Sequence, residues 1–456
     1  MSNEDTKLDI AWLKERLKRH FSELARLAAP AVMTRIGILG LGLVDTAMVG
    51  HYATQHLAWL NLANQSVIMF ALVVGLGLLS GIMVYSANAF GLDDYKGAGK
   101  VWRRALPFTL FCGFILTALI WPSEYWLTLL GQSAENAQKG GELAQILALG
   151  LTGHMLFVNC TMFLEGIKRA EIGFYLMLGA NVVNGILNYS LIFGNWGMPE
   201  LGAEGSAWAS TGVRWFMAIT ALSYVWWSAS LKKYAVREPH GQQWHEWSEQ
   251  RQMGYASAVS LAAEVLAFSA LAIFAGWLGT IPLAAHGVYF QVIGLPLMIS
   301  IGIGVATTVR VGIAFSRRDQ ADTILAGISG IVLNLALVGI VGIVIYFNAE
   351  LMLSIFTDDE RIILMLAPLA VLFTFSMIAD ASQMVASLVL RGYQETWWPT
   401  WLQGFAFIFV MLPASYYLAI PMGLGLEGLI WGTLIGVTVS WILQLSRFAY
   451  LAKRPM

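Results

Sequence analysis

The chain has 456 residues, of which 57% are hydrophobic and 12% charged, with a net charge of −1 and a mean hydropathy of +0.65. Soluble domains carry about 25% charged residues, so a soluble multidomain enzyme is excluded, as is disorder, which needs low hydrophobicity and high charge. The near-zero charge gives no reason to expect a nucleic-acid partner, and Cys112 and Cys160, both in apolar stretches, leave no disulfide framework or zinc cluster to read.

Residues 1–26 are rich in charge and lack the apolar run and small-residue cleavage site of a signal peptide. The stretch from Trp12 to Arg26 places Trp12, Leu13, Leu17, Phe21 and Leu24 on one side. It fits either an amphipathic helix lying on the inner membrane face or a solvated lead-in helix. Twelve segments then meet the length of about 20 apolar residues that a helical span needs. They lie near 27–50, 58–90, 104–122, 140–164, 172–194, 204–230, 252–277, 284–310, 323–347, 362–388, 399–419 and 427–450. Polar punctuation separates them, at 91–94, 197–200 and 357–360, and the longer stretch at 231–251 reads as a linker. Pro30 and Pro296 fall inside spans one and eight, where kinks are expected.

Assigning both termini and the even-to-odd loops to one side places 23 of the 27 Lys and Arg residues there, against two, Lys139 and Arg361, opposite. This asymmetry predicts cytoplasmic termini. The remaining two, Arg35 and Arg214, lie within spans. Arg35 is near an end and able to snorkel, whereas Arg214 lies deeper and calls for a carboxylate or a substrate anion.

The chain also repeats itself. The run Leu-Gly-Ala-Glu-Gly-Ser-Ala-Trp at 201–208 returns as Leu-Gly-Leu-Glu-Gly-Leu-Ile-Trp at 424–431, an offset of 223, and Gly50 and Gly166 return as Gly276 and Gly392, an offset of 226. The expected domains are a lead-in at 1–26, six-span halves at 27–230 and 252–456, and the linker between them. Six is even, so both halves have one topology and a pseudo-twofold axis along the membrane normal. That is the plan of a rocking secondary transporter with its site near the midplane.

Ionisable residues in mid-span cost on the order of 2.5–3.5 kcal/mol on insertion scales and therefore mark function. Asp45 in span one, Glu264 in span seven and Asp380 in span ten meet this test. Each is either a structural carboxylate bonded to neighbouring amides or hydroxyls, or part of a site where a proton, Na⁺ or a cationic solute exchanges. Asn184 and Asn188, four apart, share one face of span five. Ser210 in span six adds a hydroxyl, and an interhelical bond is the plain alternative for the asparagines. His154 occupies the repeat position of Asp380 and is either a pathway residue or a core histidine. Glu204 and Glu427 open spans six and twelve, where a carboxylate suits a helix N-terminus. No Gly-x₄-Gly-Lys-Ser/Thr loop occurs, so no nucleotide is expected to drive transport. No His-Glu-x-x-His or Gly-x-Ser-x-Gly elbow points to an enzyme.

On the motifs Leu-Ala-Ala-Pro (27–30), Val-Asp-Thr-Ala-Met-Val-Gly (44–50), Pro-Glu-Leu-Gly-Ala (199–203), Ala-Ala-His (284–286), Arg-Val-Gly (310–312) and Leu-Arg-Gly-Tyr (390–393), the sequence resembles the multidrug and toxic compound extrusion (MATE) transporters. It is most similar to their NorM-like bacterial branch. The resemblance implies an all-α membrane protein of twelve helices in two pseudo-twofold-related six-helix bundles, which form a V opening alternately to each side. It implies a monomer in the bacterial inner membrane that exports lipophilic, often cationic drugs in exchange for Na⁺ or H⁺, with no cofactor, surrounded by lipid. The family's cation site falls on Glu264 and Asp380, with Na⁺ as its candidate metal, and the second site falls on Asp45, Asn184, Asn188 and Ser210. Arg214, His154 and Ser376 are expected along the substrate pathway. Some Na⁺-coupled relatives carry Tyr where this chain has Ser376, one turn before Asp380. A lipid-linked precursor flippase of the same superfold is the alternative, and it calls for a basic central cavity to hold pyrophosphate.

Overall fold

The computed structural model describes residues 3–238 and 243–454, and the side chains of residues 3–13 and of Leu295 lie outside that description. Among the described residues there is no strand. Twelve long helical segments follow in order: α1 (Asn3–Tyr52), α2 (Thr54–Gly91), α3 (Tyr95–Ile120), α4 in two parts (Ala134–Leu149 and Leu151–Gly166), α5 (Ala170–Phe193), α6 (Ala203–Trp227), α7 (Ser248–Leu278), α8 (Thr280–Ser316), α9 (Gln320–Phe347), α10 (Glu360–Gly392), α11 (Trp398–Ala419) and α12 (Gly425–Ala452). The punctuation read from the sequence begins and ends them. Asp94 accepts from the Gly97 N–H at 2.8 Å at the start of α3, and Asp319 accepts from the Asp322 N–H at 2.9 Å at the start of α9. Ser133 and Asp359, 226 residues apart, cap α4 and α10 in the same way. Gly194, at φ +68°, closes α5 in the left-handed region that glycine tolerates.

Ten of these helices are long and apolar enough to cross a membrane, and the two parts of α4, bent by 41° at Gly150, make an eleventh span. α6, the twelfth expected span, meets the length part of that test and not the apolar part. Its 25 residues reach about 37 Å at 1.5 Å per residue, long enough for a hydrocarbon core of about 30 Å. Its composition is too polar, because it carries Glu204, Ser206, Ser210, Thr211 and Arg214.

The bend in α4 explains much of that polarity. A broken helix leaves its last carbonyls without partners, a serious cost inside a membrane unless neighbouring side chains supply donors. Here the carbonyl of Ile146 accepts from Thr211 Oγ1 (2.7 Å), that of Leu147 from Arg214 (2.9 Å), and that of Leu149 from the Trp215 indole (3.0 Å). The Ala148 carbonyl accepts from Thr117 Oγ1 on α3 at 3.0 Å. Three of the four donors in these contacts, Thr211, Arg214 and Trp215, belong to α6.

The chain forms two compact units, one of residues Met33–Leu261 and one of Met1–Val32 with Ala262–Met456. The boundaries fall inside α1 and α7. In the first unit the second part of α4 is central, packing against α2, α3 and α6, with every residue from Leu151 to Gly166 buried except His154. The stretch read as a linker is packed in the same unit: Tyr234 and Trp247 are buried, and the Val236 carbonyl accepts from Arg103 at 2.9 Å. In the second unit α10, the repeat counterpart of α4, holds the central place against α8, α9 and α12.

Several local expectations are corrected. The lead-in runs into span one without a break, as the start of α1. Leu24 is buried with Ala28, Ile303 and Ala306, and Leu17 and Phe21 are half-buried. The side chains of Trp12 and Leu13 lie outside the described residues. Charge holds this segment down. Asp322 accepts from Arg16 (2.9 Å), Arg19 (2.6 Å) and His20 (3.2 Å), while Arg310 donates to His20 Nδ1 at 2.7 Å and pairs with Glu23. Arg35 does not snorkel. It is buried and pairs with Glu165 at 3.3 Å, because a counter-charge close by in a low-dielectric interior attracts it strongly. Pro30 and Pro296 lie inside α1 and α8 without ending either helix. Glu204 and Glu427 sit in the first turns of α6 and α12, where each accepts from the indole one turn on, Trp208 at 3.4 Å and Trp431 at 3.3 Å.

Candidate functional site

Two clusters of buried polar residues stand out, one in each unit. In the first, Asp45 projects from α1 and is buried. Its Oδ1 accepts from Asn184 Nδ2 at 2.9 Å and from Asn188 Nδ2 at 2.6 Å, and its Oδ2 accepts from Ser210 Oγ at 2.5 Å. The four-residue spacing on α5 therefore does what the sequence predicts, presenting both amides to one carboxylate. Each asparagine donates one N–H to the carboxylate, and their Oδ1 atoms are buried with no partner among the described residues. The cluster thus offers amide and carboxylate oxygens, the ligand type that a hard cation prefers. Arg214 lies within electrostatic reach of Asp45 and of His154, but its hydrogen bond goes to the Leu147 carbonyl.

The second cluster unites Glu264 of α7 with Asp380 of α10, both buried and within electrostatic reach of each other. Glu264 Oε2 accepts from Gln403 Nε2 of α11 at 2.6 Å, and Asp380 Oδ1 accepts from Gln383 Nε2 at 3.4 Å. Among the described residues no Lys or Arg forms an ion pair with either carboxylate. Ser376, one turn before Asp380, is buried and accepts from the Tyr289 hydroxyl of α8 at 3.2 Å. The phenol absent from position 376 therefore reaches this neighbourhood from another helix.

Asp45, Asn184, Asn188 and Ser210 are thus brought together, as are Glu264, Asp380 and Ser376, and the two groups belong to different units. Gln403, Gln383 and Tyr289 escaped the sequence reading. A mid-span amide in Trp-Leu-Gln-Gly and a glutamine one turn after Asp380 were the available signals. Tyr289 carried none, because a tyrosine in a span is ordinarily packing.

A family model, MatE, matches residues 30–190 and 256–417, more than half of the chain and both repeat halves. The chain belongs to the MatE family. Among relatives, it is 32% identical to the probable multidrug resistance protein NorM of Caulobacter vibrioides, covering 94% of this chain and 91% of that one. It is 29% identical to the multidrug resistance protein PmpM of Pseudomonas aeruginosa, covering 96% and 93%. Among solved structures, the eukaryotic MATE transporter AtDTX14 superposes with a TM-score of 0.87 at 21% identity, covering 95% of this chain and 96% of that one. A MOP superfamily transporter from Pyrococcus furiosus gives 0.86 at 20% identity, covering 95% and 97%. As a MatE member the chain is a multi-span membrane transporter and not an enzyme.

Proposed function

We propose that this chain is an antiporter that exports lipophilic, often cationic compounds in exchange for Na⁺ or H⁺ by alternating access. Its two lobes, 27–230 and 252–456, would rock about the site of a monomer in a bacterial inner membrane with both termini in the cytoplasm. The multidrug resistance names of NorM and PmpM support the substrate class. The observation that carries the coupling is the Glu264–Asp380 pair: two carboxylates buried among helices, each tied to a neutral amide and, among the described residues, neither in an ion pair. Buried charge without compensation is costly, so the pair favours whatever brings positive charge to it. A proton on one oxygen does so, and so does Na⁺ held by carboxylate oxygens with the Tyr289 and Ser376 hydroxyls nearby. A cationic substrate competes for the same compensation, which makes loading of one favour release of the other.

Asp45 provides a second such station, in which three neutral donors hold the carboxylate and two amide oxygens remain for a cation. The lipid-precursor alternative calls for a basic cavity, and Arg214, the one arginine among the pathway candidates, donates to a backbone carbonyl.

Ethidium or fluoroquinolone efflux from proteoliposomes tests the proposal, driven separately by an imposed Na⁺ gradient and an imposed pH gradient. One gradient is expected to drive efflux, and Asp45→Asn, Glu264→Gln and Asp380→Asn are each expected to abolish or severely slow it. Efflux unchanged in all three well-expressed variants would sink the mechanism.

A further inference from the structure

Asp380 does not meet Gln383 by accident of rotamer. We propose that Ser440 and Gln444 of α12 are positioning residues for Asp380, acting through Gln383; this deepens the cation-coupled reading above and rests on it. Gln383, Ser440 and Gln444 are all fully buried, at 0% exposure. Gln444 Nε2 donates to Gln383 Oε1 at 3.2 Å and to Ser440 Oγ at 3.0 Å, and Ser440 Oγ donates to the same Gln383 Oε1 at 3.2 Å. The Gln383 oxygen therefore has two donors aimed at it from α12.

That arrangement decides which end of the Gln383 amide faces the carboxylate. An ionised carboxylate only accepts, and a glutamine amide has one accepting and one donating end. Turning the Gln383 oxygen toward Asp380 would strand the Gln444 N–H and the Ser440 O–H in a dry interior and set oxygen against oxygen. The two α12 donors thus hold the Gln383 amino group toward Asp380, where it sits 3.4 Å from Oδ1. The donors run one way, from Ser440 and Gln444 of α12 to Gln383 and from Gln383 to the carboxylate. A fixed donor on one oxygen leaves the remaining lone pairs of Asp380 fixed in number and direction for the ion. Partners of this outer kind typically alter ion affinity 10- to 100-fold. The competing role for buried amides in a membrane bundle is interhelical glue.

The test separates these roles with the full chain in nanodiscs. Thermal stabilisation is titrated with NaCl at constant pH, against choline chloride, and with pH in choline chloride alone. Wild type is expected to be stabilised by one of these ions, with the response lost in Asp380→Asn. Gln383→Met is expected to move the half-saturating ion concentration by about tenfold. The double variant Ser440→Ala/Gln444→Met is expected to match it, and combining all three changes to add nothing further. Ser440→Thr keeps the hydroxyl and is expected to keep the wild-type value. Should the double variant fail to fold, Gln444→Met alone, with one α12 donor retained, is expected to show a smaller shift of the same sign. A lowered ion-free midpoint with an unmoved half-saturation would mean glue and overturn the proposal. A lost response in Asp380→Asn with wild-type binding in the Gln383 and α12 variants would overturn the positioning role alone. An identical response in wild type and Asp380→Asn would remove the cation site, and this proposal with it.

Discussion

Arg214 offers the clearest test of whether a mid-span charge serves the scaffold or the substrate. Its guanidinium donates to the Leu147 carbonyl at 2.9 Å, where α4 bends, and its Cδ lies against Gly150. Arg214→Met keeps most of the aliphatic stem and removes the donor. A hydrogen bond to a charged group contributes about 1.5–3 kcal/mol. The Gly150 N–H still reaches the same carbonyl at 3.1 Å, so the expected loss sits near the middle of that range, about 2 kcal/mol. For a unit of this size, Met33–Leu261, each kcal/mol corresponds to about 2–4 °C. The predicted fall in unfolding midpoint is therefore about 4–8 °C, read by intrinsic fluorescence in detergent.

A second term comes from Asp45, which lies within electrostatic reach of Arg214. In an Asp45→Asn background the carboxylate no longer needs that compensation, so Arg214→Met is expected to cost less there. The difference, a coupling energy of at least about 0.5 kcal/mol, falls within the range for interacting residues. A midpoint shift below about 1 °C in the single variant, accompanied by complete loss of efflux, would show that Arg214 serves a substrate anion and that the bend is held by its other donors.

Asn188→Leu strips the 2.6 Å donor from Asp45 and is expected to cost about 1–3 kcal/mol and to slow efflux, measured by thermal unfolding and proteoliposome transport on the same preparation. Asp322→Asn removes the charge that gathers Arg16, Arg19 and His20, and faster hydrogen exchange is expected over residues 14–28, with little change near Asp45. Gly205→Val and Gly428→Val are expected to prevent accumulation of folded protein: a Cβ at Gly205 would meet the Leu191 carbonyl at 2.3 Å, and one at Gly428 the Ala419 nitrogen at 2.5 Å. At Gly179 nothing lies within 4 Å, so Gly179→Ala serves as the tolerated control. Tyr289→Phe deletes the bond to Ser376 at a cost of about 1 kcal/mol; its unfolding midpoint checks this, and an unchanged midpoint would remove the tyrosine from the account of the site.

What was legible in the sequence follows from which signals are local. Span positions and caps depend on apolar runs and on side chains such as Asp94 and Asp319, which act within a few residues of themselves. The Asn184 and Asn188 pair was legible because helical spacing alone puts both on one face. The bend at Gly150 was not, since its stability depends on donors from α3 and α6 that no window around residue 150 contains. The same cause lies behind the corrected reading of Arg35, whose partner Glu165 is 130 residues away. Gln403 and Gln383 are visible as polar residues in apolar stretches, but only packing shows that their amides end on Glu264 and Asp380.

The internal repeat sharpens this division between scaffold and site. Positions that the two halves share make the same contacts twice. Ser133 and Asp359 both cap, Glu204 and Glu427 both take an indole, and Gly205 and Gly428 both admit a neighbouring backbone. The carboxylates obey no such rule. At the 226-residue offset, Asp45 corresponds to Leu271, Asp380 to His154 and Glu264 to Ile38, and neither asparagine nor Gln383 is repeated. A scaffold constraint acts alike on both halves, because each must bury the same helix packing and satisfy the same helix ends. A mid-span carboxylate earns no stability by itself, so nothing in the fold requires it twice. Asp45, Glu264 and Asp380 are therefore residues whose retention calls for a chemical reason, and all three sit in the two buried clusters.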